Sequence, residues 1–369
     1  MFFEHLGKNQ KHGHFAPIEH NHTCFILPEY IQRHIIEKGT EEQKRKAWQS
    51  LILTEQLRGR RNVAGSLYTL FAVADKMHRT IFDAKNSESL PGYLVRSEGG
   101  KSKGGRPVNE AYDYSGDTYN FYRQVFDRNS VDSKGMRLDS TVHYGEDYNN
   151  AFWNGTQMVY GDGDGQVFNR FTISLDVIGH ELTHGVTQYE AALEYQGQSG
   201  ALNESLSDVF GTLVKQYALK QTADNADWLI GAGLFTKKVK GVALRSMKEP
   251  GRAYDDPIIG KDPQPAHMKD YVNTSSDNGG VHINSGISNH AFYLTAIEIG
   301  GKAWESAGNI WYITLRDRLR ENSNFQEMAN LTFEVAGSIF GKDSKEQKAV
   351  SKGWEGVGLS PKKKKSKKQ

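Results

Sequence analysis

His180 and His184 stand four residues apart with Glu181 beside the first, in the stretch DVIGHELTHGVTQYE from Asp176 to Glu190. On a helix, residues i and i+4 share a face about 6 Å apart, so the two imidazoles can grip one ion. Ile178, Leu182 and Val186 supply the apolar positions of such a helix. Zinc suits the pair, because it takes nitrogen and oxygen ligands in a tetrahedron without redox chemistry. Glu181, beside the metal face, can take a proton from a zinc-bound water. The plainer alternative is two surface histidines on an amphipathic helix, so a third ligand is needed to decide.

One completion, H-E-x-x-H-x-x-G-x-x-H, requires Gly at 187 and His at 190. The chain has Thr187 and Glu190, which excludes it. The other completion takes a carboxylate from a later helix, and GQSGALNESLSDVFGTLV, Gly197 to Val214, offers one. Leu202, Leu206, Val209, Phe210 and Leu213 form its buried stripe. Glu204 and Asp208 lie four apart beside the small residues Ser205, Ser207 and Gly211. Two acids on an otherwise apolar helix need neutralising. Glu204 as third ligand, and Asp208 holding a ligand imidazole by its second nitrogen, give each a partner.

These helices must sit in a larger frame. The 369 residues suffice for two domains, and the 37% hydrophobic and 24% charged content is that of a globular chain. The single cysteine, Cys24, excludes an internal disulfide. The last nine residues, PKKKKSKKQ, carry six lysines; setting these six charges aside turns the net +2 into −4. The tail reads as a solvated basic end rather than a nucleic-acid or membrane anchor. No run of about 18 apolar residues exists to span a membrane. The start, MFFEHLGKNQKHGHF, lacks the apolar core of a Sec signal peptide.

Four regions follow from composition. Residues 1–61 open with His5, His12, His14, His20 and His22. FILPEYIQRHIIEKG then predicts a strand-like entry and a short helix ended by Gly39. Thr40 and Gln43 form a capping box, and the next helix shows Ala47, Trp48, Leu51 and Ile52 on one side until Gly59. Residues 62–165 read as strands, among them SLYTLFAVADK and GYLVRSEG, with one helix in GDTYNFYRQVFDRNS. Residues 166–357 read as mainly helical, with glycine-rich loops at 231–233, 241 and 279–280, and 358–369 form the tail. The fold class is α+β, a β-rich lobe followed by a helical lobe with a cleft between them.

HELTH, followed by NESLSD, resembles the thermolysin family of zinc metallopeptidases. The resemblance extends in order through NNAFWNGTQMVYGDGDG (Asn149 to Gly165), LRSM (Leu244 to Met247) and DNGGVHINSG (Asp277 to Gly286), and covers roughly residues 62–357. It implies a two-lobed peptide-hydrolysis fold with one zinc on His180, His184 and Glu204, Glu181 as general base, and Asp208 behind the ligands. It implies that His282, oriented by Asp277, and Tyr195 donate to the transition state. Asn150 and Ala151 would pair with substrate backbone, and Arg245 would bind a substrate carbonyl on the leaving-group side. Phe168, Phe171, Val177, Ile230 and Leu244 would form the pocket after the scissile bond. That pocket implies cleavage on the amino side of Leu, Phe or similar residues, with Phe171 in place of the usual leucine narrowing it.

The chain departs from the family pattern in two places. Asp176 and Asp227 remain at the family's double calcium site, but Lys215, Leu229 and Ala232 stand where glutamates are usual. Val242 replaces an aspartate of a second site. Calcium is therefore not carried over, and Lys215 is expected to substitute for an ion by pairing with the remaining acids. The front of the chain resembles the short propeptide of the protealysin branch, with Glu29 in place of the second proline before Tyr30. Residues 1–61 then read as an inhibitory propeptide, cut autocatalytically between Ser50 and Ala64. It would block the cleft sterically, the competing idea being that Cys24 or an early histidine ligates the zinc.

The sequence thus points to a neutral zinc endopeptidase made as a zymogen. Its expected partners are peptide and protein substrates and its own propeptide. It is expected to act as a monomer without nucleic acid or membrane, secreted by a non-Sec route or held as a cytoplasmic zymogen. The alternative is a zinc-containing peptide-binding protein with little or no proteolysis, which loss of Glu181, Tyr195 or His282 would have favoured; none is lost. An aminopeptidase would carry an acidic G-x-M-E-N motif, which is absent.

Overall fold

Cys24 and Phe25 form a short strand, β1 (Cys24–Phe25), paired antiparallel with Trp153 and Phe152 of β5 (Ala151–Trp153). The chain's own N-terminal segment thus becomes the edge of a six-stranded sheet in a computed structural model that describes residues 23–59 and 76–362. The early histidines, all of the Ser66–Lys76 strand-like run but Lys76, the Arg60–Ala64 part of the expected processing range and the tail beyond Lys362 lie outside the described residues.

The sheet runs in the order β1-β5-β6-β4-β2-β3. Its other members are β2 (Arg79–Asp83), β3 (Tyr93–Ser97), β4 (Leu138–Val142) and β6 (Met158–Tyr160). The β2–β4 and β4–β6 pairs are parallel and the rest antiparallel.

Helix α1 (Glu29–Lys38) buries Ile31, Gln32 and Ile35 and stops before Gly39. Thr40 then caps α2 (Glu41–Gly59): the Gln43 amide donates to Thr40 Oγ1, and Thr40 N–H donates to Gln43 Oε1 at 2.8 Å. The buried face of α2 differs from the apolar stripe read in the sequence. Ala47 and Leu51 are buried, but Trp48 is 53% and Ile52 43% exposed. Lys46, Ser50 and Thr54 are buried instead, because they bond polar groups on the loop before β5. Lys46 Nζ lies 3.1 Å from Asp147 Oδ2, Asn149 N–H donates to Ser50 Oγ at 3.0 Å, and Thr54 Oγ1 lies 3.1 Å from Tyr148 Oη. Apolar periodicity cannot see a docking face built from hydrogen bonds.

The helix expected near Gly116 is longer: α3 spans Gly105–Phe126. Its early turns hold Gly105, Pro107 and Asn109, which lie before the stretch read as helix. Proline is tolerated there because a first turn has no N–H partner to lose. Gly116 allows Arg79 close; a Cβ there would meet Arg79 Nη1 at 2.2 Å.

The expected division into a β-containing N-terminal part and a helical C-terminal part holds. Helix α4 (Leu175–Tyr189) packs most closely on α5 (Gly197–Ala218). Their backbones nearly touch: a Cβ on Gly211 would lie 2.5 Å from Asp176 O and 3.0 Å from His180 N. Two small antiparallel pairs follow, β7 (Leu229–Ile230) with β8 (Arg245–Ser246), and β9 (Asp255–Asp256) with β10 (Gly260–Lys261). Then come α6 (Asp277–Ile299), α7 (Ala307–Asp317), α8 (Phe325–Phe340) and α9 (Lys345–Gly356). In α6, Asn278, Gly279 and Gly280 take left-handed φ values of 49°, 79° and 79°, and regular helix begins at Val281. Two glycines make that turn accessible. Among the described residues, no helix is long and apolar enough to cross a membrane.

Candidate metal centre and cleft

α4 and α5 bring His180, His184 and Glu204 together, all buried, with ligating atoms within 4.8 Å of one another. His180 Nε2 and His184 Nε2 are 2.9 Å apart, and Glu204 oxygens lie 3.4 and 3.5 Å from them. The outer nitrogens are already committed. His180 Nδ1 lies 2.8 Å from Asp208 Oδ1, and His184 Nδ1 lies 2.9 Å from Asn203 Oδ1. Each Nδ1–H therefore points outward as a donor, and the Nε2 lone pairs converge.

Two facing lone pairs repel unless an electrophile lies between them. Glu204 Oε2 adds to the demand, being buried with no hydrogen-bond partner among the described residues. A buried carboxylate oxygen left so is costly. The residues fit a dication held by two imidazoles and a carboxylate, which is zinc chemistry.

Asp208 anchors more than one imidazole. Arg245 Nε and Nη2 donate to it at 2.8 and 2.9 Å, and Asn289 Nδ2 at 2.8 Å. Burial alone raises its pKa, but Arg245 and His180 reverse this and hold it down to about 2. A permanent anion thus fixes the His180 tautomer.

Glu181 accepts from Trp153 N–H at 3.0 Å through Oε2, while its buried Oε1 has no partner among the described residues. Burial pushes its pKa up to about 8, with His180 lowering and Glu204 raising it. A dication on the neighbouring ligands would bring it down.

Across the cleft, Asp277 grips His282 twice, through Nδ1 at 2.6 Å and through the backbone N–H at 2.9 Å. The left-handed turn at 278–280 folds Asp277 back onto that imidazole. Burial disfavours the imidazolium, yet Glu204 and Asp277 outweigh it and raise the pKa. Tyr195 Oη lies 3.2 Å from His282 Nε2 and donates to Glu204 Oε1. The three side chains line one wall.

The cleft is filled by the chain itself. Ile26 N–H donates to Ala151 O at 3.1 Å, and Leu27 N–H to Asn150 Oδ1 at 3.0 Å. Arg245 Nη1 donates to Ile26 O at 3.2 Å, and His282 Nε2 lies 2.9 Å from Phe25 O. Ile26 is fully buried in the same apolar core as Phe168, Phe171, Val177, Ile230 and Leu244. Every residue expected to hold substrate backbone therefore touches residues 25–27. Cys24 packs against Tyr195 and Val281 and does not join the ligand cluster.

The sequence reading missed Asn203, Asn289, Trp153 and Gln264, whose Nε2 donates to His282 O at 2.7 Å. Only Asn203 carried a local signal, directly preceding Glu204. The others come from distant segments and touch the site through a backbone N–H or an amide.

An HExxH helix, a following-helix carboxylate and a peptide-binding edge strand between a sheet and a helical lobe define a metalloendopeptidase. The family model described as "Thermolysin metallopeptidase, catalytic domain" matches residues 54–188, and "Thermolysin metallopeptidase, alpha-helical domain" matches residues 191–359. The chain belongs to the thermolysin family of metallopeptidases. It is 53% identical to an extracellular metalloprotease of Pectobacterium carotovorum subsp. carotovorum, over 91% of this chain and 96% of that one. It is 50% identical to Protease PrtS of Photorhabdus sp. (strain Az29), over 94% of each. Among solved structures, the precursor of protealysin, a metalloproteinase from Serratia proteamaculans, superposes with a TM-score of 0.84 at 53% identity, covering 91% of this chain and all of that one.

Proposed function

We propose that the protein is a neutral zinc endopeptidase made as a zymogen, with residues 1–61 as an intramolecular inhibitor. The observation that carries this reading is the segment Phe25–Leu27, which continues from β1 and is bonded to Ala151, Asn150, Arg245 and His282 beside the three ligand groups. A backbone-bonded extended peptide is the way a broad-specificity peptidase holds substrate. Names of relatives that include "extracellular" support release from the cell.

His180, His184 and Glu204 would hold zinc, which lowers the pKa of water in the site and polarises a carbonyl. Glu181 takes the proton of the attacking water and returns it to the leaving amine. His282 and Tyr195 donate to the carbonyl oxygen as charge develops there. Asp277 keeps His282 charged and oriented; Asp208 does the orienting for His180. Ala151, Asn150 and Arg245 hold the backbone, and Phe168, Phe171, Val177, Ile230 and Leu244 receive a bulky apolar side chain after the bond. Mature catalytic lobes would comprise 62–165 and 166–357; the boundary of the expected 358–369 tail is corrected, because Leu359 is buried in the core, Gln326 Nε2 donates to Ser360 O at 3.0 Å and Lys362 N–H donates to Asn330 Oδ1 at 2.7 Å.

The test expresses the full chain and Glu181→Gln side by side. The wild type loses its first fifty to sixty residues, on the order of the helical segment described, and digests casein until 1,10-phenanthroline is added. The Glu181→Gln chain stays full length. Zinc binding with no casein digestion by the processed wild type favours a peptide-binding protein instead.

A further inference from the structure

We infer that the Phe25–Ile26 peptide bond is itself a cleavage site of this enzyme, cut within the same molecule before the propeptide leaves. This rests on the endopeptidase reading above. The bond lies where a scissile bond belongs, judged by its partners. Phe25 O is 2.9 Å from His282 Nε2, the donor assigned to the developing oxyanion. Ile26 N, the leaving amine, is tied to Ala151 O at 3.1 Å. Ile26 O, the next carbonyl along, is tied to Arg245 at 3.2 Å. The Ile26 side chain is fully buried in the apolar core that holds the pocket residues, in keeping with a preference for cutting on the amino side of bulky apolar residues.

The cut is hydrolysis. Water oxygen adds to the Phe25 carbonyl carbon, the C–N bond breaks with its electron pair on nitrogen, and Glu181 carries the proton from the water to Ile26 N. Phe25 ends as a carboxylate and Ile26 as an ammonium group, the water's second proton also passing to nitrogen. Phe25 is 1% exposed, so little room remains for water and the step is slow.

The nick does not open the cleft. The Ile26 amine still has N–H groups for Ala151 O, and Leu27 keeps both bonds to Asn150. Gln32 Nε2 donates to Asn149 O at 3.2 Å, and Ile31 and Ile35 anchor α1 in the core. On the other side, β1 keeps Cys24 and Phe25 paired with β5. Cutting near the end of α2, by contrast, requires a cleft that Cys24–Leu27 has vacated, in this molecule or another. The order is therefore Phe25–Ile26 first and the α2 end second.

The test follows the full chain with added Zn2+ at low and high protein concentration, by intact mass and N-terminal sequencing. A species beginning at Ile26 is expected at a concentration-independent rate, ahead of casein hydrolysis, and absent from Glu181→Gln. Ile26→Asp slows the cut at least about tenfold, since a charge enters an apolar pocket. Amide exchange on the metal-free Glu181→Gln chain is expected to show Ile26 protected, a readout independent of activity. Casein hydrolysis without an Ile26 terminus overturns the inference and leaves the endopeptidase reading intact. Absence of both processing and casein hydrolysis overturns both. An Ile26 terminus in Glu181→Gln, a rate rising with concentration, or an unprotected Ile26 amide also overturns it.

Discussion

Lys215 Nζ sits 2.7 Å from Asp176 Oδ2, joining α5 to the first turn of α4 inside the protein. The same ammonium lies 2.9 Å from Asp227 Oδ1 and donates to Leu229 O at 3.2 Å. Burial disfavours its charge, but Asp176 and Asp227 more than offset this and raise its pKa. A fixed cation thus occupies the ground between two acids that sequence resemblance assigned to a calcium site. EGTA, with zinc replenished, is expected to leave Tm unchanged. Lys215→Met strands the fully buried Asp176 and should lower stability by about 3 kcal/mol. Chemical denaturation checks both, and a clear fall in Tm on chelation of calcium sinks the substitution argument.

Asp208→Asn removes the charge that serves both His180 and Arg245. The expected result is zinc affinity about 10–100-fold weaker. Arg245, itself buried, loses its bidentate partner, and stability should drop by about 3 kcal/mol. Competitive chelator titration reads the first effect and urea unfolding the second; unchanged zinc affinity would refute the role of Asp208.

Gly211→Ala tests the contact between α4 and α5. The new Cβ would have to push Asp176 O and His180 N away. Stability should fall by about 1–3 kcal/mol. Because Glu204 rides on the displaced helix, zinc affinity should fall with it. If affinity is untouched, the close approach is not what registers the ligands.

Phe171→Leu should enlarge the pocket after the scissile bond. Phe171 packs 5.8 Å, centroid to centroid, from Phe168. Relative kcat/KM for Phe over Val at that substrate position is expected to rise about tenfold. Cleavage mapping on a peptide library gives the answer, and an unchanged preference removes Phe171 from the pocket.

His143 provides a pH readout remote from the metal centre. Its Nδ1 lies 2.6 Å from Asp162 Oδ2. That hydrogen bond raises its pKa above the ordinary 6.5, against partial burial, with further help from the charges of Asp162 and Asp83. The folded pKa exceeds the unfolded one, so the stabilisation is complete below about 6.5 and fades as pH rises through the folded value. His143→Gln should therefore cost most stability at about pH 6 and least at about pH 9. A difference that grows with pH contradicts the assigned sign.

Much of the site was legible in the chain because helical spacing is local. His180 and His184 fall on one face by counting to four, and Glu204 and Asp208 do the same on the next helix. Thr40 and Gln43 announced their cap for the same reason. Trp48 and Ile52 misled because α2 docks by hydrogen bonds from Lys46, Ser50 and Thr54 as much as by apolar contact. The early turns of α3 were hidden by Gly105 and Pro107, which break helical patterns in a sequence, whereas the later Gly116 makes room for Arg79. His282 read as part of a turn, and only the tertiary structure shows Asp277 folded back onto its imidazole.

By itself the sequence determined the ligand types, their pairing on two helices, the order of the lobes and the lysine at the remnant acidic site. Those follow from residue chemistry and a 3.6-residue period, which need no partner. The tertiary structure decided which atoms meet. It set the crossing of α4 on α5 at Gly211 and the convergence of Arg245 and Asn289 on Asp208. It also ran residues 25–27 along Ala151. Each of those contacts joins segments far apart in the chain, and such contacts depend on how whole elements pack rather than on any local pattern.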